Sequence, residues 1–230
     1  MKQYDILVIG RGKLAREILD GLRGPAIARV IPWEERDSVE NAACLVVHAG
    51  SGRELDDAVA FCSRTGSVLL ELSTAGSPLP ETVSFPVVLC PNVNMEMLSF
   101  MAMIKQSAGL FRGRDIRITE SHQAAKKTSP GTAVHMARSL GVSEADIRSE
   151  RNPQVQREEL GIPSQYLDRH AYHEIVIASP EVRIRLETRV LGKSAYADGL
   201  ADVIGLVAAN APAAGFHDIV DLVIENAPKA

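Results

Sequence analysis

Apolar residues fall along the chain in short blocks separated by polar segments with helical spacing. Tyr4 to Ile9 reads as a strand ending at Gly10, and Lys13 to Leu22 reads as a helix because Leu14, Ile18, Leu19 and Leu22 share a face. Ala26 to Ile31, stopped by Pro32, and Cys44 to Val47 are the next strands, the latter leading into the loop His48-Ala49-Gly50-Ser51-Gly52. Arg53 to Arg64 predicts a helix closed by Gly66, and strand-like runs return at Ser67 to Leu72 and Pro86 to Leu89. Strands alternating with helices in this way make a parallel sheet the economical arrangement.

After Cys90-Pro91-Asn92 the pattern changes. Met95 to Phe111 predicts a long apolar helix, Asp115 to Thr119 a strand, and Thr132 to Leu140 a helix opened by Pro130-Gly131-Thr132. Ser143 to His170 is polar, carries Pro153, Gly161 and Pro163, and predicts an extended excursion. His173 to Ile177 and Val182 to Val190 alternate, with Ile184, Leu186 and Thr188 on one side and Arg183, Arg185, Glu187 and Arg189 on the other. This predicts an antiparallel hairpin with one wet face and one apolar face suited to subunit contact. Ser194 to Ala209 reads as an amphipathic helix and Phe216 to Ile224 as a short final element.

The 230 residues are 46% hydrophobic and 23% charged, an ordinary globular balance that argues against a disordered or fibrous chain. Net charge is −4, with both signs interspersed, so nucleic acid is not an expected partner. Charged residues interrupt every apolar run before the roughly 18 residues that a bilayer span needs, and no membrane association is expected. Met-Lys-Gln-Tyr-Asp leads into a strand rather than a signal peptide, and the expected location is cytoplasmic. Cys44, Cys62 and Cys90 are odd in number and set among apolar residues, as buried reduced thiols would be. Of His48, His135, His170, His173 and His217 only the pair His170 and His173 has a metal-ligand spacing, and it lies near a predicted strand start where i and i+3 need not share a face, so no metal is expected.

Gly10-Arg11-Gly12-Lys13-Leu14-Ala15 has the form G-x-G-x-x-A between the first strand and the first helix. There the first glycine permits the turn, the second admits a pyrophosphate, and Ala15 allows close packing, while the free N–H groups of the helix start hold the phosphates. The expected fold is α/β: a Rossmann-like parallel-sheet domain from 1 to 94, completed by 194 to 230, that binds NADPH or NADH. An α+β domain with an open mixed sheet, 95 to 193, is expected to bind substrate and to oligomerise. The carboxylate about twenty residues on that would accept ribose hydroxyls is Glu34 or Glu35, with Arg36 and Lys13 available to a 2′-phosphate instead. Gly50, in the loop after the third strand, joins the expected cofactor contacts.

A second constellation runs from Glu120 to Ala133. His122 has a side chain suited to donating a proton near neutral pH, and Lys126 is a second donor or a stabilising charge. Lys126 and the N–H groups of Gly131 and Thr132 at a helix start suit a small dicarboxylate.

These residues resemble the 4-hydroxy-tetrahydrodipicolinate reductase (dihydrodipicolinate reductase) family of bacterial diaminopimelate and lysine biosynthesis. Glu120, His122, Lys126, Gly131, Thr132 and Ala133 match its E-x-H-H-x-x-K-x-D-x-P-S-G-T-A hallmark, with Gln123 in place of the second histidine, Pro130 in place of the serine, and a loop one residue shorter. Gln123 hydrogen-bonds a carboxylate without carrying charge. Leu72-Ser73-Thr74-Ala75 is similar to the family's G-T-T-G loop, Cys90-Pro91-Asn92-Val93 to its A-P-N-F/M segment, and Tyr196-Ala197-Asp198-Gly199 to its F-A-x-G helix start. The resemblance implies NAD(P)H-dependent reduction of 4-hydroxy-tetrahydrodipicolinate to tetrahydrodipicolinate, with His122 and Lys126 as proton donors. It also implies Ser73, Cys90 and Val93 at the cofactor, Gln123, Thr74, Lys126, Gly131 and Thr132 at the substrate, and a homotetramer built through the hairpin sheet. The rival expectations are an oxidoreductase of another small amino or imino acid, for which the altered loop speaks, and an NAD(P)-binding sensor without turnover.

Overall fold

The structure is a computed structural model that describes residues 2–39, 43–73, 79–126, 130–192 and 195–228. In chain order its elements are β1 (Tyr4–Ile9), α1 (Lys13–Gly21), β2 (Ile27–Pro32), β3 (Leu45–His48), α2 (Leu55–Thr65), β4 (Val68–Glu71), β5 (Pro86–Leu89), α3 (Met95–Ser107), β6 (Asp115–His122), α4 (Gly131–Leu140), β7 (Arg148–Glu150), α5 (Pro153–Glu158), β8 (His170–Ala178), β9 (Arg183–Leu191), α6 (Ala195–Asn210), β10 (Gly215–Asp218) and α7 (Ile219–Asn226). The chain divides into two compact units, one up to Ser99 and again from Tyr196, the other Phe100–Ala195. These divisions fall a few residues later than the expected 94/95 and 193/194.

The first unit holds a six-stranded sheet in the order β10-β5-β4-β3-β1-β2, with every neighbouring pair parallel. Ile6 to Ile9 and Leu45 to Val47 are at most 1% exposed, so both faces of the sheet centre are covered. Strands buried on both sides read as unbroken apolar runs, which is why the pattern was legible there. On one face Leu7, Val46, Leu69 and Val87 pack in a single cluster with Trp33 and Phe61, whose rings meet edge to face at 5.5 Å. The chain runs from β1 out to β2 and then returns to the other side of β1 as β3. This reversal puts a topological switch point at the carboxyl ends of β1 and β3.

The second unit is built on a four-stranded mixed sheet, β7-β6-β8-β9, in which β6 pairs parallel with β7 and antiparallel with β8. β8 and β9 form the expected hairpin. β8 is buried on both faces, whereas β9 alternates between half-buried and exposed, so the wet face belongs to the outer strand alone. α4 packs on β6 through Thr132, Ala133, Met136 and Ala137 and ends at Gly141, whose φ of +71° lets its N–H cap the last turn.

Three expectations need correction. The helix from Met95 stops at Ser107 and tightens into a 3-10 turn over Ala108–Phe111, where Gly109 lowers helix stability. The excursion from Ser143 to His170 is not merely extended: it contains β7, α5 and two 3-10 turns, too short and too polar to leave a periodic signal. The final element is two, with β10 joining the parallel sheet and Asp218 accepting a hydrogen bond from the Val220 N–H to start α7.

Candidate active site

Glu120 and His122 lie two apart at the end of β6, so they project from the same face of the sheet. Register places Glu120 opposite Ser149 on β7 and opposite His173 on β8. Glu120 is fully buried, and its Oε2 accepts a hydrogen bond from His122 Nδ1 at 2.7 Å. Arg151 donates from Nη2 to Oε1 at 2.6 Å and from Nη1 to Oε2 at 3.1 Å. Burial alone would raise the pKa of this carboxyl, but hydrogen bonds from His122, Arg151 and Ser149 outweigh it and hold the value at about 2. Glu120 is therefore an anion at neutral pH.

Around that anion the basic groups are desolvated. Burial lowers the His122 pKa, Glu120 opposes this, and the charges of Lys126 and Arg151 add to it. Burial likewise lowers the pKa of the Lys126 ammonium, with Glu120 opposing and Arg151 reinforcing. The Lys126 N–H closes a turn on the Gln123 carbonyl at 2.9 Å, and Arg151 Nε binds the Lys126 carbonyl at 3.2 Å. The imidazole, through Glu120, and the Lys126 backbone, directly, are thus tied to one guanidinium, and burial makes the Lys126 ammonium give up its proton more readily than a free lysine does.

Two participants escaped the sequence reading. Arg151 comes from the patternless excursion, 31 residues from Glu120, with no local signal to reveal the pairing. His173 is 1% exposed, and its ring stands edge-on to that of His122 at 5.6 Å. Burial, then the His122 charge, pushes its pKa down to about 3. Its Nε2 has no hydrogen-bond partner among the described residues, while Nδ1 lies 3.4 Å from Thr188 Oγ1. Strand alternation carried its facing direction, but only the β6–β8 register puts it beside His122.

Gly131 and Thr132 are the first two residues of α4, and Thr132 is buried. Gln123 is half-buried next to His122. Thr74 lies outside the described residues.

In the first unit Gly10 has a φ of +127°, and a Cβ there would stand 2.6 Å from the Ala49 carbonyl oxygen. The Ala49 N–H binds the Ile9 carbonyl at 2.8 Å, so glycine is what lets these two strand ends approach at the switch point. Gly12 precedes α1, and a Cβ on it would meet nothing within 4 Å. Lys13 and Leu14 open that helix, and Ala15 is fully buried beneath it. Glu34 is ion-paired with Arg11 at 2.9 Å, both exposed, and Glu35 is also exposed. Arg36 lies over the Trp33 ring. Gly50 sits above His48, whose buried Nδ1 bonds Glu71 at 2.7 Å, a pair on neighbouring strands that sequence reading also missed. The Ser73 N–H binds Glu71 Oε1 at 2.6 Å. Cys90 and Val93 are each 3% exposed.

Among the described residues no group of three or more His, Cys, Asp or Glu side chains is placed to hold a metal, and no helix is long and apolar enough to cross a membrane.

The fold is that of the two-unit α/β dehydrogenases. A dipicolinate-bound dihydrodipicolinate reductase from Paenisporosarcina sp. TG-14 superposes with a TM-score of 0.60 over 94% of this chain and 97% of its own, at 14% identity. A probable dehydrogenase from Thermotoga maritima superposes at 0.55, over 90% and 88%, with 11% identity. Residues 97–223 match the family model described as dihydrodipicolinate reductase, C-terminus, and the chain belongs to that family. The 4-hydroxy-tetrahydrodipicolinate reductase 1, chloroplastic, of Arabidopsis thaliana is 31% identical over 170 residues, 67% of this chain and 49% of that protein. The Rickettsia bellii enzyme named 4-hydroxy-tetrahydrodipicolinate reductase is 31% identical over 122 residues, 50% of this chain and 48% of its own. The chain spans about half the length, or less, of the curated relatives it matches.

Proposed function

We propose that the protein reduces 4-hydroxy-tetrahydrodipicolinate to tetrahydrodipicolinate with NADH or NADPH. The observation that carries this reading is the cluster of Glu120, His122, Lys126 and Arg151, a fixed anion surrounded by two proton-exchanging bases, inside the segment that matches the family. The first unit suits a dinucleotide. The positive φ of Gly10, the open space at Gly12 and the start of α1, where Gly12 offers no side-chain cap, leave a cradle that suits a phosphate and that a Cβ would restrict. A reduced nicotinamide, when bound, supplies the hydride. His122 and Lys126 supply the proton: burial brings the Lys126 ammonium down toward the working pH of a general acid, while the Glu120 carboxylate opposes the fall that burial causes at His122. Lys126 and the Gly131 and Thr132 N–H groups bind a substrate carboxylate, with Gln123 adding a neutral hydrogen bond.

The same reading includes a cytoplasmic homotetramer built through the β6–β9 sheet. Val182 and Ile184, 59% and 38% exposed at its outer strand, support the contact, and sedimentation tests it. The activity test follows the consumption of NADH and of NADPH with freshly prepared 4-hydroxy-tetrahydrodipicolinate. Turnover is expected in the wild type and a loss on the order of a hundredfold or more in His122→Ala and Lys126→Ala, with cofactor affinity retained. Turnover of another amino or imino acid in place of this one would favour the altered-substrate reading that neutral Gln123 suggests. Cofactor binding with no turnover of any of them would refute the proposal.

A further inference from the structure

Arg151 spends nearly all of its hydrogen-bonding capacity on one task. Two nitrogens grip the two oxygens of Glu120, Nε binds the Lys126 carbonyl, and Nη1 also reaches the Glu150 carbonyl at 2.9 Å. The segment that carries it is anchored in turn. Asn152 caps α5, and Gln156, 1% exposed, donates from Nε2 to the His122 carbonyl at 2.8 Å and to Ser121 Oγ at 3.0 Å. The guanidinium is therefore built into the sheet edge and is not a surface charge that happens to lie near a carboxylate.

We propose that Arg151 is a positioning residue for the proton donor: by holding both oxygens of Glu120 it aims Oε2 at His122 Nδ1 and confines the exchangeable proton to Nε2. The inference rests on His122 having the role given above. A carboxylate only accepts, so Nδ1 must carry a hydrogen in every state of the ring. Neutral His122 then presents a lone pair at Nε2, and charged His122 presents N–H there, so gain and loss occur at one defined atom. A buried carboxylate stripped of its fork would have His122 and Ser149 as its remaining partners and would be free to turn, and the two tautomers would mix. Among the described residues the charged and titratable groups facing His122 are Glu120 on its own strand, Lys126 in the following loop, Arg151 after β7, and His173 on β8. The buried residues of α4, packed on the same strand, carry no charge.

The test is 15N NMR of histidine-labelled protein, with the His122 signals identified by their loss in His122→Asn, alongside steady-state kinetics. In the wild type, neutral His122 should be protonated at Nδ1 and bare at Nε2. In Arg151→Met the tautomers should mix and the midpoint of His122 should rise, because a nearby positive charge has gone. kcat should fall on the order of tenfold to a hundredfold with the cofactor KM unchanged. Arg151→Lys, which keeps the charge but loses the fork, should restore the midpoint and only part of kcat. A role confined to folding would lower the yield of active protein and leave tautomer and midpoint where they were; that result overturns the proposal. Should Arg151→Met fail to fold, a wild-type His122 protonated at Nε2 overturns it equally. The two readings fail separately: tautomer mixing in a protein without reductase turnover would remove the assigned reaction and keep the positioning role.

Discussion

Acidification should open the second unit through His173. The side chain is 1% exposed in the middle of β8, its Nε2 has no partner among the described residues, and burial together with His122 holds its pKa at about 3 against a reference value of 6.5. Between those two values the unfolded chain binds a proton that the native chain refuses, so stability is complete above the unfolded value and falls as the pH drops through the window. At about pH 4.5, two pH units into it, the loss is about 3 kcal/mol, or about a hundredfold in the opening equilibrium. The perturbation is His173→Phe, which keeps a planar ring and forfeits only the weak 3.4 Å contact with Thr188. His122 and His170, whose pKa values are also lowered by burial, titrate in both proteins and largely cancel in the comparison. Hydrogen exchange of the peptide spanning β8, corrected for intrinsic rates, reads the opening free energy of this sheet. From about pH 7.5 to about pH 4.5 wild-type protection should fall about a hundredfold further than that of the variant. Parallel curves would mean that His173 accepts its proton in the native state at little cost, and the burial argument would fail.

Two simpler tests concern the first unit. Gly10→Ala and Gly199→Ala should each destabilise the protein by about 2 kcal/mol or more in thermal or urea unfolding, because the new methyl groups would stand 2.6 Å from the Ala49 carbonyl oxygen and in outright collision with that of Val93. Gly12→Ala, with open space around it, should leave stability within about 1 kcal/mol, and equal losses in all three would refute the steric account. Cys44, Cys62 and Cys90 are buried, with burial pushing each thiol pKa up, so a thiol reagent should react with none of them in the native protein and with all three after denaturation.

What the chain reveals on reading depends on whether the controlling interaction is local. β1, β3 and β5 announce themselves because strands covered on both faces need uninterrupted apolar residues, and Gly10 and Gly12 because a tight turn leaves few alternatives. β7 and α5 leave no such trace, since three and six residues that are largely half-buried or exposed have no face to pattern. The site divides along the same line. His122, the last residue of β6, and Lys126, four residues on in the loop that follows, carry chemistry in their residue types alone, so they could be named from sequence. The groups that set their state arrive by strand register, as His173 does opposite Glu120, or by a salt bridge closing 31 residues, as Arg151 does. Neither route has a period or a spacing.

A consequence follows for how a motif should be used. The Glu-x-His-x-x-x-Lys sequence supplies an anion, an imidazole and an amine, yet a buried carboxylate orients a neighbour only while its own two oxygens are held in place. Arg151, from outside the motif, grips both oxygens of Glu120, while His122 and Ser149 add the hydrogen bonds that also keep it charged. Substituting Arg151 would leave every residue of the motif in place while changing the protonation pattern on which its chemistry depends. The functional unit is therefore the motif together with a guanidinium delivered by the least patterned segment of the chain, and a chain that keeps the first without the second has the residues of the site but not its electrostatics.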